Sequence, residues 1–112
     1  MVKPFDPCEA DFFGDVAEDT HGVWEVFEFV RLHHPDLGDE QLFERGREYI
    51  SRWIDAGWVR VSDAPLHPSS VVNSAGLLEF LRQHGTAAIR YLEDSPLIDI
   101  TEEGQRAYNA TI

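Results

Sequence analysis

Apolar residues recur at helical spacing over most of the chain and alternate with polar ones in short stretches. From about Gly22 to His34, Val23, Phe27, Val30 and His34 share one helical face, which Trp24, Val26 and Phe29 widen. Thr20 or Asp19 is placed to cap this helix. Pro35 ends it, because the residue before a proline is pushed out of helical geometry. Asp36-Leu37-Gly38-Asp39 has the composition of a turn.

The stretch from Glu40 to Ala56 carries the strongest pattern. Leu42, Phe43, Tyr49, Ile50, Trp53 and Ile54 form a stripe that includes Gly46, where a missing side chain lets another element approach closely. Glu44, Arg45, Arg47, Glu48, Ser51, Arg52 and Asp55 make up the opposite face, with Glu48 and Arg52 spaced as an i,i+4 pair. Gly57 is placed for a left-handed cap. Trp58 to Ser62 alternates as a half-buried strand does, and Asp63 to Ser70, with Pro65 and Pro68, reads as a loop. A third helix, about Ser74 to His84, is expected to bury Leu77, Leu78 and Leu81 before Gly85 breaks it, with a short helical piece from Ala87 to Leu92. Leu97 to Ile100 is a second strand, and Thr101 caps a last helix whose first turn holds Glu102 and Glu103. Residues 1–19 read as an acidic lead-in in which Pro4 and Pro7 block regular structure. Phe5, Phe12 and Phe13 either anchor that arm to the core or belong to a mobile arm that engages a partner.

These elements define an α+β domain spanning residues 1–112: mostly helical, with a small two-stranded antiparallel sheet and a helical insertion between the strands. At 112 residues, with 43% apolar and 12% aromatic content, the chain buries a real core. The lone Cys8, the polar start and the absence of a long apolar run point to a soluble protein of a reducing cytoplasm.

Two stretches resemble winged-helix domains. Ile50 to Val61, with Ala56-Gly57-Trp58 at its centre, is similar to the junction where a recognition helix feeds a wing strand. Leu97 to Tyr108 resembles the return strand and C-terminal helix, whose habitual Leu-x-x-Thr-x-x-Gly is represented by Thr101-x-x-Gly104. The likeness spans about residues 40–62 and 97–108. It implies a winged-helix-like fold and, as an alternative function, a DNA-binding transcriptional regulator using Arg45, Arg47, Arg52 and Arg60. The chain departs from such domains in two ways. A helix between the first and the recognition helix is missing or fused, and about thirty-five residues separate the two strands.

Charge redirects the functional reading. Twenty-one carboxylates face nine Lys and Arg, a net of −12. Between Met1 and Val30, Asp6, Glu9, Asp11, Asp15, Glu18, Asp19, Glu25 and Glu28 are balanced by Lys3 alone. Such a field repels nucleic-acid phosphate and anionic lipid and steers basic proteins in. Nucleic acid and membrane are therefore disfavoured as partners. No zinc-type His/Cys spacing, nucleophile motif or glycine-rich phosphate loop is present, so neither enzyme activity nor any cofactor or metal is expected. The function expected is acidic recognition of a basic protein, such as a nuclease toxin, in the manner of immunity proteins and antitoxins. That expectation rests on physical type rather than on a shared motif. The candidate contact residues are Asp15, Glu18, Asp19, Asp36, Asp39, Glu40 and Glu44.

Overall fold

The computed structural model describes residues 5–16, 20–62, 74–90, 92 and 95–111. Its elements run α1 (Pro7–Val16), β1 (His21–Gly22), α2 (Val23–His33), α3 (Asp39–Ala56), β2 (Val59–Ser62), α4 (Ser74–His84), a 3-10 turn (Gly85–Ile89), β3 (Leu97–Ile100) and α5 (Glu102–Thr111). Most of the described chain is helical. The described strands form one antiparallel sheet of order β1-β3-β2, with His21 opposite Ile98 and Val61 opposite the same residue from the other side. The expected loop from Asp63 to Ser70 lies outside the described residues.

Four expectations need correction. The N-cap of α2 is Gly22, whose N–H donates to Glu25, rather than Thr20 or Asp19. The sheet has a third strand, because His21 and Gly22 pair with Ile98 and Leu97 immediately before α2 begins. Two residues are too few to produce an alternating pattern, so nothing in the sequence marks this strand. The lead-in is helical from Pro7 to Val16. Pro7 does not block that helix but opens it, since the first helical turn has no partner for a backbone N–H and proline supplies the required φ. Leu78, expected in the core, is 38% exposed, while Leu77 and Leu81 are fully buried.

Phe5, Phe12 and Phe13 are buried, so the residues read as anchors of an arm are part of the core. Phe12 stacks on Trp53 at 5.0 Å between centroids, and Phe13 meets the same ring edge-on at 5.0 Å. Trp53 is thus embraced by α1. Gly46 lies against Phe27, and a Cβ there would stand 2.4 Å from Cε1 of that ring. α3 and α2 therefore cross at that glycine. Gly57 adopts φ 75° and closes α3 as a left-handed cap.

Thr101 ties the sheet to the last helix. Its hydroxyl donates to the Gly57 carbonyl at 2.6 Å and accepts the Gly104 N–H at 3.0 Å. The first bond holds the α3–β2 corner, and the second is the N-cap of α5.

Candidate recognition surface

The exposed side of α3 is the richest charged face among the described residues. Asp39, Glu40, Glu44, Glu48 and Asp55 share it with Arg45, Arg47 and Arg52, and all eight are exposed. The first turn of the helix is acidic, where the positive end of the helix dipole stabilises Asp39 and Glu40. A groove of about 490 Å³ runs along this face, lined by Leu37, Glu40, Gln41, Glu44, Arg45 and Glu48. Asp36 is exposed in the turn just before it.

The expected contact residues therefore divide. Asp36, Asp39, Glu40 and Glu44 come together along the α2–α3 turn and the first two turns of α3. Asp15 is exposed at the far end of α1 and does not line this groove. Glu18 and Asp19 lie outside the described residues. Two of the assembled acids already face cations: Asp39 lies 3.4 Å from Arg90, and Glu44 lies 2.6 Å from Arg47. Solvent-exposed pairs of this kind are worth about 0–1 kcal/mol.

The arginines of the DNA alternative are engaged within the chain. Arg47 pairs with Glu44. Arg60 lies 3.2 Å from Asp99, the residue opposite it across β2 and β3. Arg52, expected to pair with Glu48, places its guanidinium 3.5 Å from Glu9 and 5.6 Å over the Trp58 ring. Arg45 sits beside the Tyr49 hydroxyl, which burial and its bond to Asp6 push well above the ordinary phenol range against the weaker pull of Arg45.

Beneath this face lies a polar cluster that was not anticipated from the sequence. Glu9 is completely buried. One carboxylate oxygen accepts the Trp53 indole N–H at 2.7 Å, and the other accepts the Asp6 backbone N–H at 3.0 Å. Asp6 returns the bond by accepting the Glu9 N–H at 2.9 Å, and its second oxygen accepts the Tyr49 hydroxyl. The Asp6-Pro7-Cys8-Glu9 sequence is a capping box with proline at the first helical position, a signal legible in the residues but overlooked in the general acidity. What the sequence does not carry is that α3 supplies the buried partners of both carboxylates.

Burial pushes the Glu9 pKa up, against the Asp6 N–H, Trp53 and Arg52, which favour the charged form. A folded-state pKa above the unfolded one means that the native protein holds this proton more tightly. The stability Glu9 contributes is therefore complete below the unfolded value, near 4.5, and is lost as pH rises through the folded value. Glu9→Gln, which cannot ionise, is expected to gain ground on wild type between about pH 4.5 and pH 7. Urea midpoints of both proteins at the two pH values measure this. A difference that stays constant or moves the other way would show that Glu9 ionises without penalty.

Burial, reinforced by Asp6, Glu9 and Asp11, pushes the Cys8 thiol up to about 12. The buried thiol is therefore expected to resist alkylation in the native protein and to react on unfolding, which a timed thiol-reagent assay with and without urea follows.

His33 reaches Asp11 at 3.0 Å, joining α2 to α1, and His21 lies 3.8 Å from Glu25. Among the described residues, no group of three His, Cys, Asp or Glu is placed to hold a metal ion. Comparison with protein-family models, curated proteins and solved structures finds no match for this chain.

Proposed function

We propose that this chain is an acidic recognition domain that binds a basic protein, of the physical type of the immunity proteins and antitoxins that neutralise nuclease toxins. The observation that carries this reading is the exposed face of α3, where five carboxylates outnumber three arginines and the acids lead from the N-terminal end. A partner's lysines and arginines would replace the weak intramolecular cations at Asp39 and Glu44 and meet Asp36 and Glu40 directly.

The scaffold reading goes with it. The order helix, strand, helix, helix, strand, helix, strand, helix, with β3 central in the sheet, supports a winged-helix-like domain whose wing carries α4 as an insertion. On this reading α1 would take the role of the first helix, and α2, the 34–38 turn and α3 would form the helix-turn-helix limb. On that scaffold the alternative is a DNA-binding regulator. In helix-turn-helix proteins, residues at the N-terminal end of the recognition helix meet base edges. Here that end presents Asp39 and Glu40 to a phosphate-lined groove. No retardation of duplex DNA is expected at about 0.15 M salt, and a clear, salt-sensitive shift there would restore the DNA reading.

The direct experiment is capture of partners from the native host with salt-stepped elution, followed by kinetics on the basic protein recovered. Charge reversal at Asp36, Asp39 and Glu40 is expected to slow association on the order of 10-fold at low salt, with the effect shrinking as salt screens it. Recovery of no basic protein, or of one indifferent to these substitutions and to salt, would remove this function.

A further inference from the structure

A smaller cavity, of about 210 Å³, opens at the seam between the start of α1 and the middle of α3. It is lined by Asp6, Arg45, Glu48, Tyr49 and Arg52. Unlike the acidic groove beside it, this cavity is balanced, with two carboxylates and two guanidinium groups. Those charges do not neutralise one another across the gap. Among the described residues, neither Arg45 nor Glu48 takes part in an ion pair, although they lie three residues apart on one helix. Both Asp6 oxygens are committed, one to the Glu9 N–H and one to the Tyr49 hydroxyl, and Arg52 faces Glu9. Arg45, whose guanidinium keeps donors beyond its bond to the Tyr49 hydroxyl, and Glu48 are therefore the pair that a ligand would bridge.

We propose that this cavity binds a small dipolar ion of the α-amino acid type, its carboxylate on Arg45 and its ammonium on Glu48. The balance of charge selects this chemistry. A free anion would gain one guanidinium but would meet two carboxylates and the field of a chain at −12. A free cation is better served by Glu40, Glu44 and Glu48 in the neighbouring groove. A dipolar ion carries no net charge against that field and satisfies both open groups at once. The dimensions agree. Side chains three apart on a helix start about 5–6 Å from one another. The two charged ends of an amino acid are about 3 Å apart, so with two charge-assisted hydrogen bonds of about 2.7–2.9 Å the Arg45 and Glu48 head groups must stand about 8–9 Å apart, a span their side chains reach by diverging from these starting points. The volume lies below the ~300–1,000 Å³ of sites for larger ligands, as a molecule of a few heavy atoms requires. Arg45 and Glu48 also border the acidic groove, so a bound dipolar ion would take up part of the proposed recognition face, whereas Asp36 and Asp39 lie outside this cavity.

Amide NMR titration of the full chain with L-alanine tests it, with acetate and ethylammonium at matched ionic strength as single-charge controls. Saturable shifts confined to residues 6 and 45–52 are expected with L-alanine, and binding of either control should be at least about 10-fold weaker. Arg45→Ala and Glu48→Ala should each weaken alanine binding at least about 5-fold, whereas Arg60→Ala, remote from the cavity, should leave it unchanged. Arg45 and Glu48 are exposed, so the same spectra verify that the variants keep the fold. Any of three results overturns the proposal: no saturable shift up to about 50 mM, acetate binding as tightly as L-alanine, or variants that bind like wild type.

Discussion

Trp53→Ala is expected to cost about 4–8 kcal/mol, the largest loss of any single substitution considered for this core. Truncating a buried aromatic ring costs about 3–5 kcal/mol by itself, in lost transfer energy and residual cavity. Here the ring is 1% exposed and is held between Phe12, Phe13 and Tyr49, contributed by α1 and α3. The same substitution removes the indole N–H from Glu9 and leaves a buried carboxylate short of a donor, a penalty of about 1–3 kcal/mol. That is a large share of a typical total stability of about 5–15 kcal/mol. Trp53→Phe separates the two losses, because it keeps most of the packing and drops only the hydrogen bond, for an expected cost of about 1–3 kcal/mol. Urea denaturation monitored by far-ultraviolet circular dichroism measures both. Equal losses in the two variants would mean that the bond to Glu9 carries nearly all of the effect.

Gly104→Ala is expected to destabilise by about 2–4 kcal/mol, against the direction that helix propensity predicts. Alanine is favoured over glycine inside a helix by about 1 kcal/mol. At this position, however, a Cβ would lie 2.2 Å from the Trp58 carbonyl oxygen and 2.9 Å from Cγ1 of Ile100. The obstacle is backbone at the α3–β2 corner, which Thr101 fastens to α5 through the Gly57 carbonyl. α5 must therefore back away from the sheet, and overpacking of this kind costs more than the propensity returns. Gly57→Ala is the control. Its φ of 75° is strained for alanine, but nothing lies within 4 Å of the added carbon, so about 1 kcal/mol is expected. A thermal midpoint for Gly104→Ala at or above wild type would show that α5 is not seated on that carbonyl.

The two predictions bear on different joints of the same scaffold. Trp53 is the contact through which α1 becomes a core helix rather than an acidic arm. Gly104 is the contact through which α5 closes over the corner that resembles a winged-helix junction. If both behave as expected, the three helices before β2 and the helix after β3 form one cooperative unit. The exposed face of α3 is then a rigid presentation of charge, which would limit the entropy lost on binding the proposed basic partner.

The residues of α3 could be read directly because one physical signal, apolar positions at a 3.6-residue period, agreed with both its ends: acids in its first turn and Gly57 at its close. Gly46 was legible for the same reason, as a gap in a stripe that had to face something, and that neighbour is Phe27. The α4 helix, β2, β3 and the Thr101 cap followed from local chemistry of the same sort. Other features depend on partners far away in the chain, which local patterns cannot supply. β1 exists because Leu97 and Ile98 lie beside His21 and Gly22. Glu9 is buried because Trp53, forty-four residues away, donates to it. By composition Glu9 is one more acid in a strongly acidic segment, and only the packing of α1 against α3 sets it apart from Asp15, which is exposed in solvent. The arginines show the same division. Their number and spacing on α3 are sequence properties, but whether they face outward or inward is settled by where Glu9, Glu44 and Asp99 lie. The net charge, and the field it sets up, belongs to the sequence alone because it needs no fold. The choice of which carboxylates meet a partner and which hold the protein together belongs to the tertiary structure, because burial and distance decide the energy of each charge.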